Sequence, residues 1–110
     1  MAMVESIVRY DIYLVSLNPT LGSEIQKTKP CIIISPDEIN ILNTVIVAPM
    51  TSKGFDFVFR PKINFEDKTG LVVLDQIRAV DKSRLIKKIG TVDKKTSKQI
   101  SSTLVEMFKY

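Results

Sequence analysis

The sequence contains no histidine. That removes the side chain most used for general acid–base work near neutral pH. It also removes Ser-His-Asp and Cys-His nucleophile arrangements and most zinc sites. Any catalysis must therefore run on Lys, Arg, Asp, Glu, Thr or Tyr. Cysteine occurs once, as Cys31. No disulfide framework can form within one chain, and a reducing cytoplasm fits best. Cys31 opens the apolar run Cys31–Ile34 and reads as a small buried hydrophobe. No stretch approaches the roughly 18 consecutive apolar residues of a membrane span. The residues from Met1 to Ser6 lack the basic and apolar regions of a secretory signal. The expectations are a cytoplasmic location and no membrane role.

What is present is the composition of one soluble domain. The 110 residues are 45% hydrophobic and 25% charged, enough for a lean but real core. Net charge is +4 and the pI is near 9.3, which leans toward an anionic partner such as nucleic acid. Twelve lysines and four arginines are scattered along the chain. The densest group, Lys82 to Lys98, reads as a solvated face. No repeat, linker or low-complexity segment interrupts the chain.

Residues 1–8 read as a tail and residues 9–110 as a single domain. Tyr10–Leu17 is expected as a strand. Asn18-Pro19-Thr20-Leu21-Gly22-Ser23 opens a polar loop that runs to Lys29. Cys31–Ile34 is a buried strand. Ser35-Pro36-Asp37-Glu38 signals a short helix through an N-cap, a first-turn proline and a capping box. Asn43–Ala48 resumes as a strand. Phe55–Ile63, with alternating Phe55, Phe57 and Phe59, is expected as another, then a tight turn over Asp67–Gly70. Leu71–Val80 is expected as one strand, with Asp75 and Ile77 on one face and Gln76 and Arg78 on the other. Leu85–Ile89 is a last short strand. Asp93 caps a terminal helix of about fifteen residues whose apolar stripe is Ile100, Leu104 and Phe108, with Val105 and Met107 alongside. Short strands closed by one long helix give a mainly β (α+β) barrel-like sheet.

Three segments carry polar residues that strand packing does not require. The first is the loop Asn18–Lys29, with Ser23, Glu24, Lys27 and Lys29; its plainer reading is a solvated loop. The second is Ala48 to Gly54, where an apolar strand ends in Thr51, Ser52 and Lys53. Hydroxyls and backbone N–H groups there can hold phosphate oxygens, and the plainer reading is a hairpin turn. The third is Asp75-Gln76-Ile77-Arg78, read either as a structural ion pair or as base-edge and phosphate recognition.

Taken in order, these pieces resemble one family. Arg9-Tyr10-Asp11-Ile12-Tyr13-Leu14-Val15 is followed by Asn18-Pro19-Thr20-Leu21-Gly22-Ser23-Glu24. Lys29-Pro30 precedes a β-run and Ser35-Pro36, and then come Pro49-Met50-Thr51 and Asp75-Gln76-Ile77-Arg78-Ala79-Val80. From about Arg9 onward the chain is similar to the MazF/PemK/Kid toxins. The resemblance implies an SH3-like β-barrel with a short inserted helix and a C-terminal amphipathic helix, working as a homodimer. It implies a sequence-specific endoribonuclease of type II toxin–antitoxin systems that cuts single-stranded mRNA and inhibits translation. Cleavage would use the RNA's 2′-hydroxyl, with no metal or other cofactor, and leave 2′,3′-cyclic phosphate and 5′-hydroxyl ends. An acidic antitoxin of MazE type would be the protein partner.

Carried over residue by residue, catalysis falls to Lys29, Thr51 and Glu24. RNA contacts fall to Thr20, Ser23 and Lys27, to Ser52 and Lys53, and to Asp75, Gln76 and Arg78. Lys29 stands where the family usually has arginine. It keeps the charge and loses the planar fork, while its pKa is more readily lowered; Lys27 takes that position if the loop register slips by two. Two alternatives share the fold or its surface: a non-catalytic toxin that binds and poisons DNA gyrase, and an RNA-binding homologue with weakened catalysis.

Overall fold

The computed structural model describes residues 6–110; Met1 to Glu5 of the expected tail lie outside them. Seven strands run in the order β1 (Asp11–Ser16), β2 (Thr28–Ile33), β3 (Thr44–Thr51), β4 (Lys62–Phe65), β5 (Lys68–Val72), β6 (Arg78–Asp81) and β7 (Leu85–Thr91). One helix, α1 (Lys94–Phe108), closes the chain. The sheet path is β4-β5-β3-β2-β1-β7, with β6 also paired to β3. All pairings are antiparallel. This is the curled half-barrel expected of an SH3-like barrel.

The central strands are buried on both faces, which is why Cys31–Ile34 reads as a continuous apolar run rather than an alternation. Tyr13, Val15, Cys31, Ile33, Val45 and Val47 fill the barrel interior. Ile12, Ile32, Ala48 and Met50 face the other way, toward α1, with Ile63, Val72 and Leu74. Ile7 packs into the first cluster, so the stretch just before Arg9 is part of the core. Burial pushes the Cys31 thiol up to about 12, against a smaller lowering by Arg78; its reading as a buried hydrophobe holds.

Four expected elements differ. Phe55–Ile63 is not a strand: only Lys62–Phe65 pairs, with β5. The phenylalanines lack a partner strand, and Phe57 instead packs edge-on to Phe59 at 6.0 Å. The β4–β5 turn is Glu66-Asp67, both at positive φ (51° and 60°), the pattern of a two-residue hairpin loop. Gly70 lies inside β5, where a Cβ would come within 2.8 Å of the Thr51 carbonyl oxygen. Its use is close strand approach rather than a turn.

Leu71–Val80 is broken by a 3₁₀ turn, Leu74–Gln76. Met50 pairs with Val72 and Val47 with Arg78, so the chain between must bulge outward. It does so beside Pro49, which has no N–H for the ladder. Asp75 and Gln76 therefore ride on a bulge, and the expected face alternation does not apply. The inserted helix is a single 3₁₀ turn, Ile39–Ile41. Ser35 does not cap it; the hydroxyl donates to Asn40 Oδ1 and accepts from the Ile46 N–H.

Asp93 caps α1 by accepting from the Thr96 N–H at 2.7 Å. Ile100, Leu104 and Met107 pack on the sheet, while Val105 and Phe108 are exposed. The buried stripe follows i, i+4, i+7 and leaves Phe108 outside it. No helix among the described residues is long and apolar enough to cross a membrane.

Candidate functional site

The site grows from the ends of β2 and β3. In their antiparallel pairing Cys31 faces Pro49, and continuing that register two residues sets Lys29 opposite Thr51. Strand alternation puts both on the Pro49 face rather than the Met50 face. Lys29 is exposed and Thr51 half-buried. The Thr51 hydroxyl oxygen accepts from the Lys53 N–H at 3.1 Å, which leaves its proton free to donate. Both residues rim a hollow of about 370 Å³ that also involves Ser52, Lys68 and Gly70.

A second hollow, about 770 Å³, lies on the Pro49 side between the β1–β2 loop and the Asp75 bulge. Thr20, Glu24, Pro49, Asp75, Gln76 and Arg78 line it. The loop is ordered by its own polar groups. Asn18 Oδ1 accepts from the Lys27 N–H at 2.9 Å, and Glu24 Oε1 from the Leu21 N–H at 2.6 Å. Gln76 reaches across from the bulge: its Oε1 accepts from the Ile25 N–H at 2.8 Å, and its Nε2 donates to the Ser23 carbonyl. Arg78 Nη1 donates to the Leu17 carbonyl at 3.1 Å, and Arg84 Nη1 to those of Ser16 and Asn18. The loop thus meets the bulge as one wall.

Asp75 is engaged by a residue absent from the sequence-based set. Arg60 Nε and Nη2 each stand 2.8 Å from one of its carboxylate oxygens, a bidentate fork. The hydrogen bond from Arg60 holds the Asp75 carboxyl below the usual carboxylate range and raises the Arg60 pKa in turn. A carboxyl depressed in the folded state stabilises the fold above its unfolded pKa and loses that effect as pH falls through the folded value. Asp75→Asn is therefore expected to lose less melting temperature than the wild type between pH 5 and pH 3, measured by thermal melts across that range. Among the described residues no three Cys, Asp or Glu side chains gather as metal ligands.

A family model, PemK-like, MazF-like toxin of type II toxin–antitoxin system, matches residues 8–108. The chain is also 33% identical over 103 residues to Endoribonuclease MazF of Staphylococcus saprophyticus, covering 87% of this chain and 86% of that protein. The chain belongs to this toxin family. The fold agrees. MazF from Deinococcus radiodurans superposes with a TM-score of 0.84 at 16% identity, covering 97% of this chain and all of that one. A mycobacterial endoribonuclease solved with its cognate antitoxin gives 0.76 at 22% identity, over 91% and 92% of the two chains.

In this MazF-family toxin the sequence-based residues fall into two groups. Lys29, Thr51 and Ser52 meet at the first hollow, and Thr20, Glu24, Asp75, Gln76 and Arg78 at the second. Ser23 and Lys27 belong to the loop wall, and Lys53 is exposed next to Thr51. The hydrogen bonds of Gln76 and Arg78 hold the loop, and Asp75 holds Arg60. Arg60 and Arg84 were missed. The scarcity of arginine is the signal that could have found them, since three of the four bond into this wall.

Proposed function

We propose that this MazF-family toxin is an endoribonuclease that cuts single-stranded mRNA at a specific sequence and thereby stops translation. The facing of Lys29 and Thr51 across β2 and β3, on the lip between two hollows, carries the reading. A phosphodiester laid over that lip meets an ammonium and a hydroxyl from opposite sides. The RNA's 2′-oxygen attacks the adjacent phosphorus, and its proton passes to the Glu24 carboxylate. The Lys29 charge and the Thr51 O–H stabilise the developing phosphorane. The P–O5′ bond breaks as Lys29 gives a proton to the leaving oxygen, and proton exchange with water restores both groups. The products are a 2′,3′-cyclic phosphate and a 5′-hydroxyl, and no metal is required. Thr20, Ser23, Lys27, Ser52, Lys53, Asp75, Gln76 and Arg78 form the RNA-binding surface around this centre.

Relatives solved with their antitoxins and the net charge of +4 support an acidic, MazE-type antitoxin as protein partner. The working form is a homodimer in the cytoplasm, and exposed Ile41 and Leu42 are available to its interface. Purified protein is expected to cut single-stranded RNA in excess EDTA and to leave cyclic-phosphate ends, read by mass spectrometry of the fragments. Activity that vanishes in EDTA and returns with magnesium, or fragments with 5′-phosphates, would exclude this chemistry.

A further inference from the structure

Arg60 has more donors than its ion pair uses. Nε and Nη2 are taken by Asp75, while Nη1 has no hydrogen-bond partner among the described residues. The side chain is only 21% exposed, so its orientation is held on several sides. The Phe57 ring lies 5.9 Å from the guanidinium carbon. The next residue, Pro61, is anchored through its carbonyl, which accepts from the Val72 N–H at 2.8 Å.

The free Nη1 lies beside Gly54 and the Leu71 side chain. It lies 3.7 Å from the point a Cβ of Gly54 would occupy, and Leu71 Cδ1 lies 3.7 Å from the same point. Leu71 is the cross-strand partner of Thr51, so its side chain shares the Thr51 face. Along β2, β3 and β5 that face reads Lys29, Thr51, Leu71, and Arg60 Nη1 lies near the Leu71 end of the row. A cation thus lies beyond Thr51 at each end of this row: Lys29, a compact point charge, and Arg60, a planar donor already oriented by a carboxylate.

We propose that Arg60 is a catalytic residue, its free Nη1 donating to a non-bridging oxygen of the scissile phosphate across Thr51 from Lys29. The assignment rests on the ribonuclease reading above. Asp75 is then the positioning residue that aims the guanidinium. A phosphorane carries charge on two equatorial oxygens, and donors on opposite sides of Thr51 can meet both.

The test is a set of steady-state and single-turnover cleavage measurements on four proteins: wild type, Arg60→Ala, Lys29→Arg and the double variant, with folding checked by circular dichroism. Arg60→Ala is expected to lower kcat about 100-fold with little change in KM, the range for losing one transition-state donor. The factor by which Lys29→Arg alters the otherwise wild-type protein, where a guanidinium replaces the ammonium beside Thr51, is the reference. In the Arg60→Ala background the same substitution should give a kcat factor at least about 10-fold more favourable than that reference, because a guanidinium on the other flank can replace the lost donor. A merely structural loop clamp predicts the same factor for Lys29→Arg in both backgrounds. That result, or a loss confined to KM, overturns the proposal. Should Arg60→Ala fail to fold, Arg60→Lys decides: it keeps charge and a bond to Asp75 but has no spare fork, and should still lose about 10-fold or more in kcat. A wild type that cuts no RNA would instead refute the ribonuclease reading itself.

Discussion

An RNA oligonucleotide carrying one 2′-deoxy nucleotide on the 5′ side of the cut is expected to stay whole while its all-ribose counterpart is cut. The 2′-hydroxyl is the attacking group, so the substitution removes the nucleophile and leaves the phosphate, the bases and nearly all binding contacts in place. Acid–base and electrostatic assistance of about 10²–10⁴-fold each then has nothing to act on. Cleavage should fall by about 10⁴-fold or more, while the deoxy-substituted strand still binds and competes with the all-ribose one. Fragment analysis on a denaturing gel with both oligonucleotides is sufficient. Equal cutting of the two would mean that water attacks, and the roles given to Glu24, Lys29 and Thr51 would fall with it.

Thr51→Ala and Lys29→Ala are each expected to slow single-turnover cleavage about 10²-fold or more. The two side chains face each other across β2 and β3 and act on one phosphate. Their losses should therefore not multiply in the double variant. Stability is a separate readout. Lys29 is exposed, so its truncation should leave the melting temperature nearly unchanged. Thr51→Ala gives up one hydrogen bond, from the Lys53 N–H, worth roughly 0.5–1.5 kcal/mol. Lys94→Ala, on the exposed start of α1, is the control and should cut within about 2-fold of wild type. Wild-type rates for both Thr51→Ala and Lys29→Ala would move the chemistry elsewhere on the groove.

Several elements could be read directly from local pattern. The strands β1 and β2 follow their β-branched runs, and Asp93 caps a fifteen-residue helix because an aspartate before an amphipathic run is a strong start signal. The misread segments fail for a shared reason. Phe55, Phe57 and Phe59 alternate as a strand does, but a strand needs a neighbour with free backbone groups, and the adjoining edge of β3 is taken by β5 and β6. Leu71–Val80 reads as one strand because its residues suit the sheet throughout. The break comes from Pro49, more than twenty residues earlier, which lies beside it only after folding.

The histidine-free composition by itself limited the chemistry to lysine, arginine, carboxylate and hydroxyl groups, because residue types are a property of the chain whatever its shape. The order of Gly22-Ser23-Glu24, Lys29-Pro30, Pro49-Met50-Thr51 and Asp75-Gln76 likewise marked the family. Only the tertiary structure decided which of those polar groups remain free. Gln76 and Arg78 bond to the β1–β2 loop and Asp75 to Arg60, whereas Lys29 and Thr51 rim an open hollow. Hydrogen-bond partners are set by distance in space, and Arg60 meets Asp75 across fifteen residues of chain that no local pattern joins.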